Sequence, residues 1–253
     1  MKFVAALFFL IAAASAWADW RTISTQTEPS PARGLEHRYV VMENSETGDR
    51  ASIELALFTL KSCRLRVIDQ PVDSRVRLAE AMQAENCLAG VNGGYFDPDY
   101  NPIGLLIVDG KTIAPLKQAR LLSAVLASSG RTIQIVRPGE FPRLKKISAA
   151  VQCGPMVVER HQSVRGLNDS RAARRTFAAI GGDRVALGFC SDVTLDDLAD
   201  ILAAAPASDF KIQRALNLDG GSSSGFWFKR ADGSAFSIRE QKTVRDFVAI
   251  VPK

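Results

Sequence analysis

Ala215-Leu-Asn-Leu-Asp-Gly-Gly-Ser-Ser-Ser-Gly-Phe-Trp-Phe228 is an apolar run that ends in polar residues and glycines and then turns apolar again. Ala215 to Leu218 reads as a buried strand and Phe226 to Phe228 as a second, with the loop Asp219 to Gly225 between them. The segment Gly221-Ser-Ser-Ser-Gly225 fits G-x-S-x-G, with Ser223 in the nucleophile position. A nucleophile elbow needs a helix after the serine and a histidine later in the chain. Here a strand follows, and the two histidines, His37 and His161, both precede it. That excludes a serine hydrolase and leaves a strand–loop–strand unit with its polar groups at a strand end.

The same rhythm extends along the chain. Tyr39–Met42 and Ala51–Phe58 flank a turn at Gly48-Asp49, Ile103–Val108 and Lys111–Ile113 flank Asp109-Gly110, and Thr176–Ile180 and Val185–Cys190 flank Gly181-Gly-Asp183. Each predicts a hairpin. Arg64–Ile68, Leu88–Val91, Leu121–Ala127, Thr132–Val136, Ala149–Cys153, Met156–Glu159 and Phe247–Val251 predict further strands. One helix is expected over Val76–Asn86. A second opens at Thr194, which can cap its first amides, with Asp196 and Asp197 in the first turn and Leu195, Leu198, Ile201 and Leu202 on one face. Without a βαβ rhythm, the pattern predicts an α+β domain: a strand-rich mixed sheet with a few packed helices.

The chain has 253 residues, 47% of them hydrophobic and 23% charged, enough apolar material for a core. Thirty-two basic against 27 acidic residues give a net charge of +5. No Lys/Arg block interleaves with aromatics, so the excess suits an anionic small ligand and not nucleic acid. Met1-Lys2, the apolar run Phe3–Ala14 and Ala16-Trp-Ala18 read as a secretory signal peptide, too short for a span of about 20 residues. The expected organisation is a signal peptide over 1–18, an N-terminal leader or edge segment over 19–38, and a single domain over 39–253, in a periplasmic or secreted protein without a membrane span. In an oxidising compartment Cys63, Cys87, Cys153 and Cys190 are expected in disulfides, with Cys63–Cys87 and Cys153–Cys190 favoured because each pair brackets one structural unit. Two distant histidines without HExxH spacing argue against a zinc site. Asp97-x-Asp99-x-Asn101 resembles the start of a calcium loop, but Pro102 replaces the required Gly and Val108 the bidentate Glu. No cofactor is required by this reading, and a looser structural calcium site stays open.

Three stretches break local rules without a packing reason: Asn92-Gly-Gly-Tyr-Phe-Asp97, Arg171-Ala-Ala-Arg-Arg-Thr176 and Asn217-Leu-Asp-Gly-Gly-Ser-Ser-Ser-Gly225. Together with Cys153-Gly-Pro155 and Arg175-Thr176 followed by Ile180-Gly181, their order resembles the phosphodiester glycosidase family from about Asn86 to Lys253. Ser224-Gly225 stands where that family commonly continues with Thr, a departure that bears on substrate identity.

The resemblance implies hydrolysis of the glycosidic C–O bond of a sugar-1-phosphodiester, releasing free sugar and a phosphomonoester. A phosphomonoester is a good leaving group, so little general-acid help is needed at the glycosidic oxygen. A cation should stabilise its developing charge, and Arg can bind two oxygens at once. Arg175 is the first candidate, with Arg245 second. The oxocarbenium-like centre needs a carboxylate as nucleophile or as base for water. Asp219 is the first choice and Asp192 the next. Asn92 and Asn217 are expected on sugar hydroxyls, Gly93, Gly94, Gly220 and Gly221 as amides for phosphate oxygens, Tyr95 or Phe96 on a sugar face and Ser222 or Ser223 on phosphate. A metal role has no assigned residues. The alternative is a non-catalytic periplasmic protein that binds glycan phosphates.

Overall fold

The computed structural model describes residues 20–71, 75–129 and 131–253; the signal-peptide reading of 1–18 lies outside them. The first half carries β1 (Trp20–Pro29), β2 (Leu35–Asn44), β3 (Arg50–Thr59), β4 (Cys63–Asp69), α1 (Leu78–Ala84), β5 (Ala89–Asn92), β6 (Leu106–Val108), β7 (Lys111–Ala114) and β8 (Ala124–Ser128). There follow β9 (Ile133–Val136), β10 (Ala149–Cys153), β11 (Met156–Glu159), β12 (Gln162–Ser163), β13 (Ala173–Gly181) and β14 (Arg184–Val193). The chain closes with α2 (Leu195–Ala203), β15 (Arg214–Asn217), β16 (Phe226–Lys229), β17 (Ala235–Ile238) and β18 (Asp246–Pro252).

These strands form three sheets. The largest runs β1-β2-β3-β14-β13-β15-β11-β12, the second β7-β6-β10-β8-β9 and the third β17-β16-β5-β18-β4. The named strands pair antiparallel. The α+β expectation holds only loosely, because the described residues are mostly β and the two α-helices among them are short. Each helix covers an outer sheet face: Leu198, Ala199, Ile201 and Leu202 of α2 pack on the largest sheet, and Leu78, Ala81 and Met82 of α1 on the third.

The inner faces of all three sheets share one core. Phe58, Val67, Val91, Leu126, Val151, Leu187, Leu216, Phe226 and Val248 all belong to it. Period-2 alternation explains the outer layers, since neighbours on the same strands turn to the opposite faces. The expected hairpins form where the turn residues allow them. Asp109 and Gly110 both take positive φ, 47° and 80°, and join β6 to β7. Thr194 caps α2, its hydroxyl accepting from the Asp197 amide at 3.0 Å while the Asp197 carboxylate reaches back to the Thr194 amide.

The N-terminal segment and the cysteines are decided by the fold. Of the two readings of the N-terminal segment, leader or edge, Trp20–Pro29 takes the second: it pairs along its length with β2 and forms one edge of the largest sheet. All four cysteines are buried free thiols. Cys63 packs in the central core and Cys87 under α1; Cys153 packs in the central core and Cys190 under α2. Each favoured pair is therefore split between packed layers, which its short sequence span conceals.

Candidate functional site

The three sheets bring strand ends together at one place. Asn92 ends β5 of the third sheet, Cys153 ends β10 of the second, and Asn217 ends β15 of the largest, beside Arg175 and Thr176 near the start of β13. Asn92 ties the segments to one another. Fully buried, it donates from Nδ2 to the Asp219 carbonyl at 2.7 Å and accepts at Oδ1 from the Thr176 hydroxyl at 2.7 Å and the Gly225 amide at 3.1 Å. Asn217 Nδ2 donates to the carbonyls of Gly154 and Leu218, at 3.0 and 2.7 Å. The Tyr95 hydroxyl donates to the same Gly154 carbonyl. Their side chains thus build the site: the donors expected to meet sugar hydroxyls are committed to the protein.

Asp219 stands at the centre. Its amide donates to the Gly93 carbonyl at 3.0 Å, and its Oδ1 accepts from the Gly220 amide at 3.0 Å. Burial pushes its carboxyl above the ordinary range. The Lys242 ammonium and the Gly220 amide pull the other way, as does the nearby Ser223 hydroxyl, which itself sits outside good hydrogen-bond geometry. Lys242 arrives because the Ser222 carbonyl accepts from the amides of Gln241 and Lys242, at 2.8 and 3.2 Å.

Arg175 is 9% exposed and, among the described residues, has no carboxylate partner in an ion pair. Its Nε donates to the Val193 carbonyl at 3.0 Å and Nη2 to the Arg171 carbonyl at 2.7 Å. Nη1 turns toward Gly220, lying 3.8 Å from where a Cβ on that glycine would sit. Burial lowers the Arg175 pKa from its ordinary value. Tyr95 lies within electrostatic reach of both Arg175 and Asp219, and its phenol is pushed well up, first by burial. Next to Arg175, Arg174 clamps the serine loop by donating from Nη2 to the carbonyls of Ser224 and Arg239, at 2.6 and 2.9 Å.

One wall is aromatic and cationic. Phe96 and Tyr100 pack with ring centroids 4.9 Å apart, Lys242 Nζ lies 4.9 Å from the Phe96 ring centre, and the Arg75 guanidinium lies 3.5 Å from that of Tyr100. Asp97 accepts from the Asn101 amide at 2.8 Å and from its side chain, so the stretch that resembled a calcium loop closes on its own hydrogen bonds.

Other expected positions fall differently. Arg245 pairs with Asp69 at 2.7 Å and donates to the Gln70 carbonyl at 3.1 Å, which ties it to the β4 side as a structural cation. Asp192 lies exposed near the end of β14, where its charge reaches Arg175. The amides of Gly93, Gly94 and Gly220 are spent on Asp246 and Asp219, so these three offer no free donor to phosphate. Gly221 and Ser222 open a 3-10 turn, where first amides lack an intrahelical acceptor. His37 sits between Glu54 and Glu28, at 2.6 and 3.3 Å, and His161 contacts the Ile212 carbonyl; neither belongs to this cluster. The clefts of 430 Å³ beside the β1–β2 turn and 420 Å³ beside α1 are lined by none of the cluster residues. Convergent polar chemistry nominates the site, not cavity size.

Sequence reading passed over Asp246. It is 1% exposed at the start of β18; its carbonyl accepts from the Gly93 amide at 2.9 Å and its Oδ1 from the Gly94 amide at 3.1 Å. A Cβ on Gly93 would fall 1.7 Å from that Oδ1, so any side chain there would have to displace the Asp246 carboxyl. Burial, opposed by the Gly94 hydrogen bond, pushes the Asp246 carboxyl up to about 7. Its only sequence signal is an acidic residue opening the apolar run Phe247–Val251.

Comparison with known proteins supplies the family. The model of the phosphodiester glycosidase family matches residues 85–251, well over half of the chain. No curated protein matches it. Among solved structures, a hypothetical protein from Synechocystis superposes with a TM-score of 0.68 at 10% identity, over 93% of this chain and 68% of that one. The catalytic domain of zebrafish N-acetylglucosamine-1-phosphodiester alpha-N-acetylglucosaminidase, auto-inhibited by pro-peptide, superposes with a TM-score of 0.67 at 16% identity, over 91% of this chain and 88% of that one. At these identities both share the fold.

Proposed function

This chain belongs to the phosphodiester glycosidase family, and we propose that it is an exported hydrolase cleaving the glycosidic C–O bond of a sugar-1-phosphodiester to release free sugar and a phosphomonoester. The observation that carries this reading is the buried Arg175 guanidinium, without a carboxylate partner among the described residues and aimed at Gly220 beside the Asp219 carboxyl. A buried cation with no carboxylate in contact with it is prepared for an anion, and a diester phosphate supplies one.

In this reading the scissile phosphate lies against Arg175, with the amides at the start of the Gly221–Ser223 turn as further donors. As the C–O bond breaks, negative charge grows on the departing phosphate, where the fixed guanidinium stabilises it. The anomeric carbon faces Asp219, which acts as nucleophile or as the base for water. Burial, which raises its pKa, makes it the stronger proton acceptor. Asp192 adds negative charge behind Arg175. The Phe96–Tyr100 wall with Lys242 and Arg75 offers a stacking and cationic surface for the group beyond the phosphate. In this reading no step draws on a cofactor.

The test is turnover of a panel of methyl sugar-1-phosphodiesters in ¹⁸O-water, with wild type beside Asp219→Asn and Arg175→Ala. Label in the released sugar, with kcat reduced on the order of 10³-fold or more in each variant, is the expected outcome. Label in the phosphate would move attack to phosphorus and overturn the mechanism. Saturable binding of the diesters without turnover would favour the glycan-phosphate binding protein.

A further inference from the structure

The structure assigns Asp246 as the positioning residue of this site: it holds the Gly93–Gly94 turn, and through that turn the Asp219 amide, and its ionisation weakens binding of an anionic substrate. The assignment rests on the sugar-phosphodiester reading for its ligand, but on geometry for its mechanism. Asp246 receives both amides of the turn, Gly93 on its carbonyl at 2.9 Å and Gly94 on Oδ1 at 3.1 Å. The Gly93 carbonyl then accepts from the Asp219 amide at 3.0 Å. Two peptide units therefore link the buried acid to the central carboxylate. The fit is close enough that a methyl on Gly93 would overlap Oδ1.

The surroundings set which proton state suits the site. Asp69 on β4 and Asp219 on the loop after β15 oppose charge on Asp246, while Arg245, the residue just before β18, favours it but is already paired with Asp69. The Cys153 thiol at the end of β10, pushed well up by burial, is also within electrostatic reach. Asp246 is thus neutral on the acid side of about pH 7 and charged above it. When neutral, Oδ1 still accepts from Gly94 and no negative charge lies under the anion site. When ionised, it places a second buried negative charge beside Asp219, where a phosphodiester must bind.

The test compares wild type, Asp246→Asn and Asp246→Ala. Asn keeps the acceptor and removes the charge; Ala removes both. For the best-turned-over methyl sugar-1-phosphodiester, wild-type KM should rise about tenfold from about pH 6 to about pH 8, with little change in kcat, while Asp246→Asn keeps a flat, low KM. In Asp246→Ala the Gly94 amide should exchange with solvent at least tenfold faster, and Asn should restore its protection. A KM rise surviving in Asp246→Asn, or Gly94 protection surviving in Asp246→Ala, overturns the assignment. If wild type turns over no diester, the functional reading fails by itself. The Gly94 amide resonance still decides on Asp246: a titration near neutral pH that Asp246→Asn abolishes supports the assignment, and its absence overturns it.

Discussion

Asp219 and Asp246 are both aspartates beside glycines, yet they differ in how far the sequence discloses them. Asp219 follows an apolar strand and precedes two glycines, a local arrangement that marks a presented carboxylate. Asp246 opens an apolar strand and touches its glycines only across the fold. Its raised pKa has a stability consequence whose sign is definite. Because the folded state holds the proton more tightly than the unfolded chain, the contribution is present in full below the unfolded value of about 3.9. It is lost as pH rises through the folded value of about 7, by up to about 4 kcal/mol. Urea unfolding should therefore show wild type losing stability from about pH 4 to about pH 7 relative to Asp246→Asn. Parallel curves for the two proteins would contradict a buried neutral acid. Gly93→Ala is a second residue-scale prediction: its Cβ must displace Asp246, and a destabilisation of about 3 kcal/mol or more, with loss of activity, is expected by chemical denaturation and assay.

Among the elements, α2 was the easiest to read, because its signals are local. Thr194, the acidic first turn and the apolar stripe act within three or four residues of one another, and the helix begins where they place it. Thr194→Ala should cost about 1 kcal/mol in urea unfolding, with activity unchanged, since α2 packs behind the largest sheet. The strands Ala149–Cys153 and Met156–Glu159 were equally legible as buried apolar runs around a Gly-Pro turn. By contrast, β1 has nine of its ten residues outside the buried class, with only Trp20 buried. An edge strand has one paired side and little packing, so its composition looks like that of a polar leader.

At the level of the whole molecule, the disulfide expectation shows how chain order misleads about depth. Cys63 and Cys87 are near in sequence but belong to different packed layers, as do Cys153 and Cys190. Denatured without reductant, the protein should present four thiols to a thiol reagent, and reductant should leave its melting temperature unchanged; fewer thiols would restore a bridge. The same three-layer arrangement creates the site, because ends of strands from all three sheets converge around Asn92 and Asp219. What the sequence by itself determined was local: the antiparallel hairpins, the capped helix, the ordered motifs and the presence of Asp219 and Arg175, each written in neighbouring residues. Tertiary structure alone decided that Asn92 and Asn217 serve as internal ties, that Arg245 is consumed by Asp69, that Arg175 has no carboxylate in contact among the described residues and that Asp246 supports Gly93 and Gly94. Partner choice and desolvation arise between segments far apart in the chain, and neither follows from the spacing of residues along it.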